Sequence, residues 1–552
     1  MNSKRFFTLL IGIMVFIGIS ALEPHSVAAA QRDTIIHGIA DVVPGLFNPL
    51  LATKTTDEDI NLLMFPGLFK IAPDSTLVPY LAESCDISND GKTFTFYLNK
   101  NAVWHDGKKV TAGDVAFSFS SILAPGYTGT GYGRFKGILG AEEYHAGKTK
   151  HVEGIRVIDD YVIEVRFNAP SSPGFTNMAK VGIIPKHIWS SYEPSTWEKQ
   201  TQLLNHPIGC GPYKMTEYVE GQYIVLEAFD DFFEGKPKTP KLVVKITTPD
   251  SILAEFRNGT IDIVSVRDLT RADLDTLTGQ LGFKTVSFAN NVYRYVGINM
   301  RKDVFKSLEL RQALSYAIDR PLIIKAILEE RGVLINAPYL PSGWAAPNEN
   351  SLNQYAYNPE KAISLLKKAG YEDRDGDGIA EDEDGNKLQF TYKIPVDSKI
   401  SEQVAVFLQE SWRAIGVDVK ILSYDYRTVA QQCVMDHDFD LYTLNCQFSL
   451  DPNLLPWWHS SAIHDEPGVG SYNFGAFRSA RVDELIDLDI AERDQHKRIA
   501  YNHEIAQIIN AEAPMVFLYV QNNEMAYHPG LKGYQPSTFN IFYNVKNWFI
   551  EE

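Results

Sequence analysis

The stretch Asn-Pro-Glu-Lys-Ala-Ile-Ser-Leu-Leu-Lys-Lys-Ala-Gly at residues 358–370 opens a run of alternating helix and strand patterns. Asn358 suits an N-cap, Pro359 the first helical turn and Gly370 a C-cap, so the stretch predicts a helix over 359–369. The patterns that follow predict a strand, a helix and a strand at 390–396, 402–415 and 417–422. This alternation is typical of an α/β fold.

The rest of the chain divides into two blocks of such patterns. In the first block, apolar residues alternate over 94–98 beside the turn residues Asn-Asp-Gly at 89–91, which predicts a hairpin. Thr111 to Asp114 form a capping box that begins a helix. The second block starts near Tyr293, and the aromatic-rich segment 514–549 is interpreted as strands that return to the first block. We therefore expect two α/β lobes.

The N-terminus has the features of a secretory signal peptide. Lys4 and Arg5 precede an apolar run from Phe6 to Leu22, and the small residues Val-Ala-Ala-Ala follow at 27–30. This order predicts cleavage before Gln31 and a periplasmic protein. A membrane anchor is the alternative, but the apolar run is short for a span of about 20 residues. Because no cysteine stands at the cleavage site, a lipoprotein is not predicted.

Composition and charge narrow the class of partner. The chain has 552 residues, 45% of them hydrophobic, and a net charge of −17. Such a surface repels phosphate backbones, so we expect no nucleic-acid partner, and it suits a soluble monomer. Four cysteines allow three complete disulfide pairings in an exported protein, and Cys433 with Cys446 is one pair that lies close in sequence.

Motifs for catalysis are absent from the sequence. There is no G-x-S-x-G, no H-E-x-x-H and no Rossmann fingerprint. The glycine-rich stretch at 129–133 follows a helix pattern and suits a mobile loop over a pocket better than a nucleotide site. These absences favour a binding protein over an enzyme.

One acidic segment resembles a calcium loop. Residues 373–384 place oxygen-bearing side chains at loop positions 1, 3, 5, 9 and 12, a glycine at position 6 and a backbone carbonyl at position 7. The candidate ligands are Asp373, Asp375, Asp377, Ile379, Glu381 and Asp384. Position 12 is Asp rather than the longer Glu, and a solvated turn is the alternative interpretation. No cofactor is required; a calcium ion here would be structural.

Four stretches, in this order, resemble the family 5 extracellular solute-binding proteins, the dipeptide-, oligopeptide- and nickel-binding group of ABC importers. The resemblance runs from about residue 33 to residue 540. The stretches that carry it include Trp-His-Asp-Gly at 104–107, Pro-Ile-Gly-Cys-Gly-Pro-Tyr at 207–213, Arg-Gln-Ala-Leu at 311–314 and Asp-Pro-Asn at 451–453.

The resemblance implies two hinged lobes that close over a ligand, which is delivered to a membrane permease without catalysis. Lobe I would comprise 31–76, 205–290 and 515–552, with an inserted α+β subdomain at 77–204, and lobe II would comprise 291–514. A short peptide is the implied ligand. The alternatives are a nickel complex or another non-peptide solute, a sensor or chaperone role in the same fold and, from a different class, an exported hydrolase.

The binding residues are predicted partly by the resemblance and partly by position. In peptide binders of the family, an Asp three residues before the acidic-Pro pair holds the α-amino group of the ligand, and here that position is Phe448. Asp451 is expected to take over the charge, or the ligand has no free amine there. The full set of candidates is Gly45, Phe47, Tyr132, Tyr293, Arg294, Trp344, Asn445, Phe448 and Asp451. Trp104, Trp412 and Trp548 are assigned to the core.

Overall fold

The fold is described from a computed structural model that covers residues 31–396, 398–470 and 472–552. The predicted signal peptide, residues 1–30, lies outside the described residues. Within the described part of the chain, none of the helices combines the length and the apolar composition needed to cross a bilayer.

The strands are distributed along the whole described chain and are numbered in chain order. They are β1 Thr34–Ile39, β2 Phe69–Ile71, β3 Leu77–Pro79, β4 Ala82–Ile87, β5 Thr93–Leu98, β6 Ile155–Asp159, β7 Val162–Arg166, β8 Tyr213–Val219, β9 Tyr223–Ala228, β10 Lys241–Ile246, β11 Ile263–Ser265, β12 Lys284–Ile298, β13 Gly332–Leu334, β14 Gln389–Pro395, β15 Asp418–Tyr424, β16 Leu441–Tyr442, β17 Cys446–Gln447, β18 Met515–Tyr527, β19 Leu531–Lys532 and β20 Phe549–Ile550.

The α-helices are numbered in the same way. They are α1 Thr55–Leu62, α2 Ala112–Ile122, α3 Tyr132–Phe135, α4 Ala141–His145, α5 Ser172–Lys180, α6 Lys186–Trp189, α7 Thr201–Asn205, α8 Ile252–Arg257, α9 Arg271–Asp275, α10 Leu308–Tyr316, α11 Arg320–Leu322, α12 Pro359–Lys368, α13 Lys399–Arg413, α14 Tyr426–Ala430, α15 Leu455–Trp458, α16 Ala480–Ala491 and α17 Gln495–Glu512. The three longest α-helices, α13, α16 and α17, lie in the last third of the chain.

The predicted caps are confirmed at the helices they were assigned to. The Asn358 side chain accepts a hydrogen bond from the Lys361 N–H at the start of α12, and Gly370 has a φ of +95° just beyond its end. Thr111 and Asp114 form the predicted capping box of α2. Local side-chain chemistry therefore fixes these helix ends before any tertiary contact is considered.

One large sheet runs through the molecule. Its strands lie in the order β15-β14-β16-β12-β18-β11-β1-β10-β9-β8, with β13 and β17 attached to β18 and β12. A separate sheet, β4-β5-β7-β6, contains the predicted hairpin of β4 and β5. The large sheet thus places β12 and β18 between strands from the two halves of the chain.

Buried side chains gather on either side of these two central strands. One core joins residues such as Ile35, Trp104 and Trp548, and a smaller one surrounds Phe256; we call the body around them lobe I. Two further cores, around Trp412 and Trp458, define lobe II. The three tryptophans predicted to be core residues are completely buried, each 0% exposed.

A bulge interrupts the pairing of β12 and β18 where they pass from lobe to lobe. The first half of β12, up to Ala289, pairs with the lobe I end of β18, and pairing resumes at Tyr293 opposite Val520. The Asn290 amide spans the gap and donates to the Asn523 side chain at 2.9 Å. A bulge bends a strand and weakens its ladder locally, so we expect residues 289–293 to act as the hinge. We call them the hinge bulge.

Two sequence expectations are refined by the structure. The segment 514–549 contains one long strand, β18, followed by loops and two short strands. The first part of β18 packs in lobe II, since Val516 and Leu518 belong to a lobe II core, whereas Met525 belongs to a lobe I core. In the described chain all four cysteines are free thiols, so the suggested Cys433–Cys446 bond does not form.

Candidate functional site

A cavity lies beside the hinge bulge, and most of its wall belongs to lobe II. Lobe I residues Ser75 and Phe539 face it from the other side. The lobe II wall is formed by β12, the segment 338–346, the segment 446–454 and α15, and is lined by Tyr293, Pro338, Tyr339, Leu340, Gly343, Trp344, Ala345, Ala346, Cys446, Gln447, Phe448, Ser449, Leu450, Pro452, Asn453, Leu454, Trp457 and Trp458. Its lining is largely apolar and aromatic, as is usual for small-ligand sites.

Aromatic rings form the inner wall of the cavity. The rings of Tyr293 and Phe448 stack with centroids 4.7 Å apart and planes 28° from parallel. The backbone N–H of Phe448 donates to the carbonyl of Asn291 at 2.7 Å, so the stack is tied directly to the hinge bulge. A group that packs on this stack therefore contacts the element about which the lobes can move.

An ion-pair network lies behind the cavity wall. The Arg498 guanidinium donates to both carboxylate oxygens of Asp451, at 2.7 and 2.8 Å, and to both oxygens of Asp489, at 3.0 Å each. Burial raises the pKa of Asp489. Although burial alone would lower the pKa of Arg498, the two carboxylates hold it above its ordinary value. The carboxylate of Asp451 is thus already occupied by a cation.

Two half-buried ionisable side chains, Lys180 and Asp59, lie on the lobe I side of this network. Burial, aided by the Arg134 guanidinium, lowers the pKa of Lys180 to about 8, while the Glu58 and Asp451 carboxylates oppose that shift. Burial and the neighbouring Glu58 raise the pKa of Asp59 to about 8. Lys180 of lobe I and Asp451 of lobe II are therefore close enough to interact electrostatically across the space between the lobes.

Three of the predicted ligand residues meet in the cavity: Tyr293, Trp344 and Phe448. Arg294 and Asn445 do not line it. Arg294 follows Tyr293 on β12, so its side chain points to the opposite face of the strand, where its Nη1 donates to the Asn445 side chain at 2.6 Å. Asp451 is adjacent to the cavity but faces Arg498.

The predicted lobe I residues lie away from the cavity. Phe47 is 0% exposed and packs edge-on against Tyr218, with ring centroids 5.0 Å apart. The N–H of Gly45 donates to the buried Asp57 carboxylate at 3.0 Å, and its φ of +84° needs glycine. Tyr132 packs on His145 with ring centroids 4.1 Å apart. These residues support lobe I and do not enter the cavity wall.

The comparison with protein families decides what kind of cleft this is. Residues 76–464 match the family model described as "Bacterial extracellular solute-binding proteins, family 5 Middle". The chain belongs to this family. The oligopeptide-binding protein AppA of Bacillus subtilis (strain 168) is 32% identical over 526 residues, which cover 94% of this chain and 91% of AppA.

Solved structures of family 5 relatives share the fold. That of AppA from Bacillus subtilis in complex with a nonapeptide has a TM-score of 0.74 and 28% identity, and covers 95% of this chain and 100% of its own. That of NikZ from Campylobacter jejuni in complex with Ni(L-His) has a TM-score of 0.74 and 25% identity, and covers 94% and 99%. The prediction of a two-lobed α/β binding-protein fold is confirmed.

Two of the motifs that carry the family 5 resemblance are hydrogen-bonded to each other. His105 donates its backbone N–H to the Gly209 carbonyl at 2.7 Å, accepts the Gly209 N–H on Nδ1 at 3.2 Å and contacts the Gly211 carbonyl through Nε2 at 3.1 Å. The first two motifs therefore meet each other. The neighbouring Asp106 carboxylate contacts the His187 ring at 2.8 Å.

The acidic loop fits a cation only in part. Oxygens of Asp373, Asp375 and Asp377 lie within 4.8 Å of one another, but the Lys387 ammonium contacts Asp375 at 2.8 Å and Asp377 at 2.5 Å. Glu381, Ile379 and Asp384 are not part of that group: the Glu381 carboxylate accepts the Arg374 N–H at 2.8 Å, and the backbone N–H groups of Ile379 and Asp384 make local turns. Calcium binding remains a prediction.

A second contact joins the lobes away from the cavity. The corner between α16 and α17 touches lobe I: the Arg493 guanidinium donates to the carbonyls of Ser88 at 2.8 Å and Ile87 at 3.3 Å. The Ser172 hydroxyl donates to the Glu492 carbonyl at 2.7 Å. The Glu492 carboxylate holds the corner in shape by accepting the N–H groups of Arg493 and Asp494. We call this contact the lobe latch.

Sequence reasoning missed several members of the site. Trp457 and Trp458 follow the Asp-Pro-Asn motif by a few residues, so their position was a usable signal. Ser75, Phe539 and Arg498 come from distant segments, and no local pattern connects them to the cavity. A tertiary structure was required to bring them together.

Proposed function

We propose that this protein captures a short peptide between its two lobes and delivers it unaltered to the membrane permease of an ABC importer. The observation that carries the proposal is the aromatic cavity at the hinge bulge, with walls from both lobes. The 32% identity to an oligopeptide-binding protein over almost the whole chain supports a peptide as the ligand.

The geometry gives a physical mechanism for capture. A ligand that touches Phe539 of lobe I and Phe448 of lobe II stabilises the closed arrangement relative to the open one, because its contacts are complete only when the lobes meet. The hinge bulge absorbs the rotation, as expected for hinge closure around a ligand. The lobe latch then adds contacts that form only when lobe II rests on lobe I.

The cavity offers no machinery for a hydrolase. Ser75, Ser449 and Cys446 are its serine and cysteine side chains, but among the described lining residues there is no histidine, carboxylate or lysine to act as a base. Burial raises the pKa of the Cys446 thiol to about 12, so it stays protonated at neutral pH. These features support release of the ligand without a chemical step, as the family resemblance implies.

A nickel complex is the alternative ligand, since one related structure holds Ni(L-His). The described lining of the cavity contains neither imidazole nor carboxylate, and these are ligands that bind nickel well. A bound nickel complex would have to bring its own donors. The peptide is therefore the ligand that the site favours.

The test is capture and closure measured on the same protein. Material purified without denaturation is analysed by mass spectrometry for peptides, and binding is measured by calorimetry together with the radius of gyration from X-ray scattering. We expect peptide binding to reduce the radius of gyration and the peptide to be recovered intact. Recovery of cleaved peptide, or a shape that no peptide changes, would refute the proposal.

A matched pair of variants connects binding to the cavity. Trp344→Ala removes a ring from the wall and should weaken peptide binding roughly 5- to 150-fold, as expected for about 1–3 kcal/mol of lost apolar contact. Tyr357→Ala removes an exposed ring that is not part of the wall and should leave affinity unchanged. Equal losses in both variants would indicate a general effect on folding.

We also propose that residues 1–30 are a cleaved signal peptide and that the mature protein works in the periplasm as a monomer. The family model describes extracellular proteins, which supports export. N-terminal sequencing of protein recovered from the periplasm should begin at Gln31. A protein that keeps residues 1–30 and stays with the membrane would contradict this.

A further inference from the structure

The cavity wall differs in charge from the rest of this acidic protein. Among the described residues, its lining contains no Asp, Glu, Lys, Arg or His, although the whole chain carries 69 acidic and 52 basic residues. What the wall presents is aromatic rings, aliphatic side chains, and the uncharged polar groups of Ser75, Gln447, Ser449 and Asn453. A surface of this kind rewards burial of an apolar group and offers little to a charge.

The nearest acid beside the cavity is already neutralised. Both oxygens of Asp451 are held by Arg498, which also holds Asp489. The ionisable groups on the lobe I side of this network include Lys180 and Arg134, and the carboxyl groups of Glu58 and Asp59. The Asp451 carboxylate beside the wall is already paired with Arg498, so it is not an uncompensated charge that would attract an ammonium group.

The rings are positioned for an apolar or aromatic guest. The Tyr293–Phe448 stack supplies one wall, and Trp344 is fixed at another by the Arg498 guanidinium, which lies 4.9 Å from the centre of its ring. Phe539 of lobe I closes the opposite side. Offset or edge-on contact with such rings stabilises an aromatic side chain beyond simple burial.

We infer that the cavity receives an uncharged aromatic or apolar side chain of the ligand, and that the ligand's free amino terminus is not recognised there. The inference rests on the proposed function and specifies its ligand. Peptides with blocked and with free amino termini are then captured alike, and the sequence of the peptide is selected through one buried side chain.

The test uses two matched libraries of randomised nonapeptides, one with free and one with acetylated amino termini. The full-length mature protein is incubated with each, and captured peptides are quantified by mass spectrometry. We expect capture to agree within about two-fold between the libraries and to be enriched for Phe, Tyr, Trp and Leu.

The possible failures are distinguishable. If acetylation lowers capture ten-fold or more, the inference falls while peptide binding stands. If captured free peptides show no enrichment for apolar side chains, the inference also falls. If neither library is captured, the proposed peptide function falls together with the inference.

A variant of nearly unchanged shape adds a second readout. Asn453→Asp places a carboxylate on the cavity wall and retains the oxygen that accepts the Leu455 N–H. We expect it to bind free-amine peptides at least five-fold better than acetylated ones. Asn358→Asp makes the same chemical change at the N-cap of α12, away from the cavity, and should show no such preference. A preference absent from Asn453→Asp, or equal in both variants, would overturn the inference.

Discussion

At the scale of single residues, Arg498 forms the buried ion pairs with Asp451 and Asp489 beside the site. It is 7% exposed and neutralises two carboxylates. Removing one partner of a buried ion pair leaves an uncompensated charge, so Arg498→Met should lower the free energy of unfolding by about 3–5 kcal/mol. Chemical denaturation measures this value.

The matched control for Arg498 lies on the same helix pair. Arg481 bonds Glu484 and Glu504 on the exposed surface. Exposed pairs contribute about 0–1 kcal/mol, so Arg481→Met should change stability little. Equal losses for the two arginines would show that burial does not decide the effect.

Buried histidines make lobe I sensitive to acid: burial lowers the pKa of His37 to about 4, and His105 is a second case. His105 is held as the neutral ring, because its Nδ1 accepts the Gly209 N–H, and burial lowers its pKa to about 4. A depressed pKa stabilises the fold above the ordinary value of 6.5, and that stability is lost as the pH falls through about 4. We expect the melting temperature to fall over this range and His105→Gln to reduce the fall; the exposed His496→Gln should not.

The acidic loop can be tested through its own lysine. The Lys387 ammonium contacts two of the three clustered aspartates, so a calcium ion must displace it. Lys387→Gln should therefore strengthen calcium binding at least several-fold by calorimetry, because the competing charge is gone. If neither the parent protein nor the variant binds calcium, the loop is only a solvated turn.

At the scale of elements, the lobe latch should determine how long a ligand stays bound. Its hydrogen bonds connect the α16–α17 corner to lobe I and must break when the lobes separate. A charged hydrogen bond on a partly exposed surface contributes about 1 kcal/mol, so Arg493→Ala should release peptide about five-fold faster. Stopped-flow dissociation measures this rate, and Arg481→Ala is the control within lobe II. An unchanged rate would mean that the latch does not act in closure.

Elements with complete local signals could be predicted from the sequence, and those shaped by distant pairing could not. The helix predicted over 359–369 spans Pro359–Lys368, since its cap residues lie inside the segment itself. The first half of β12 was missed because Ala-Asn-Asn at 289–291 breaks the strand pattern. Residues 289–291 belong to the hinge bulge, which can be recognised only from the pairing of β12 with β18.

The residues of the candidate site could likewise be predicted only where the signal was local. Tyr293, Trp344 and Phe448 were predicted from the segments in which they lie, and the structure brings them together. The prediction that Asp451 carries the ligand's charge could not anticipate Arg498, which is 47 residues away in sequence. Nothing in the Asp-Pro-Asn motif itself indicates that its carboxylate is paired with an arginine from a distant segment.

At the scale of the whole molecule, the two lobes depend on one strand pair. β12 and β18 pair along most of their length, and β18 also holds β11 and β13. A chain that ends at residue 514 should therefore lack a cooperative unfolding transition, because both lobes lose strands of their cores. Scanning calorimetry tests this, and a transition like that of the full chain would contradict it.

The late position of β18 also has a consequence for biogenesis. More than 200 residues separate it from β12, and loop closure of that length makes native pairing slow. An emerging chain cannot finish its central sheet until its last segment is available. With export as proposed above, such a polypeptide would still be unfolded enough to pass through the membrane and would complete its central sheet only on the far side.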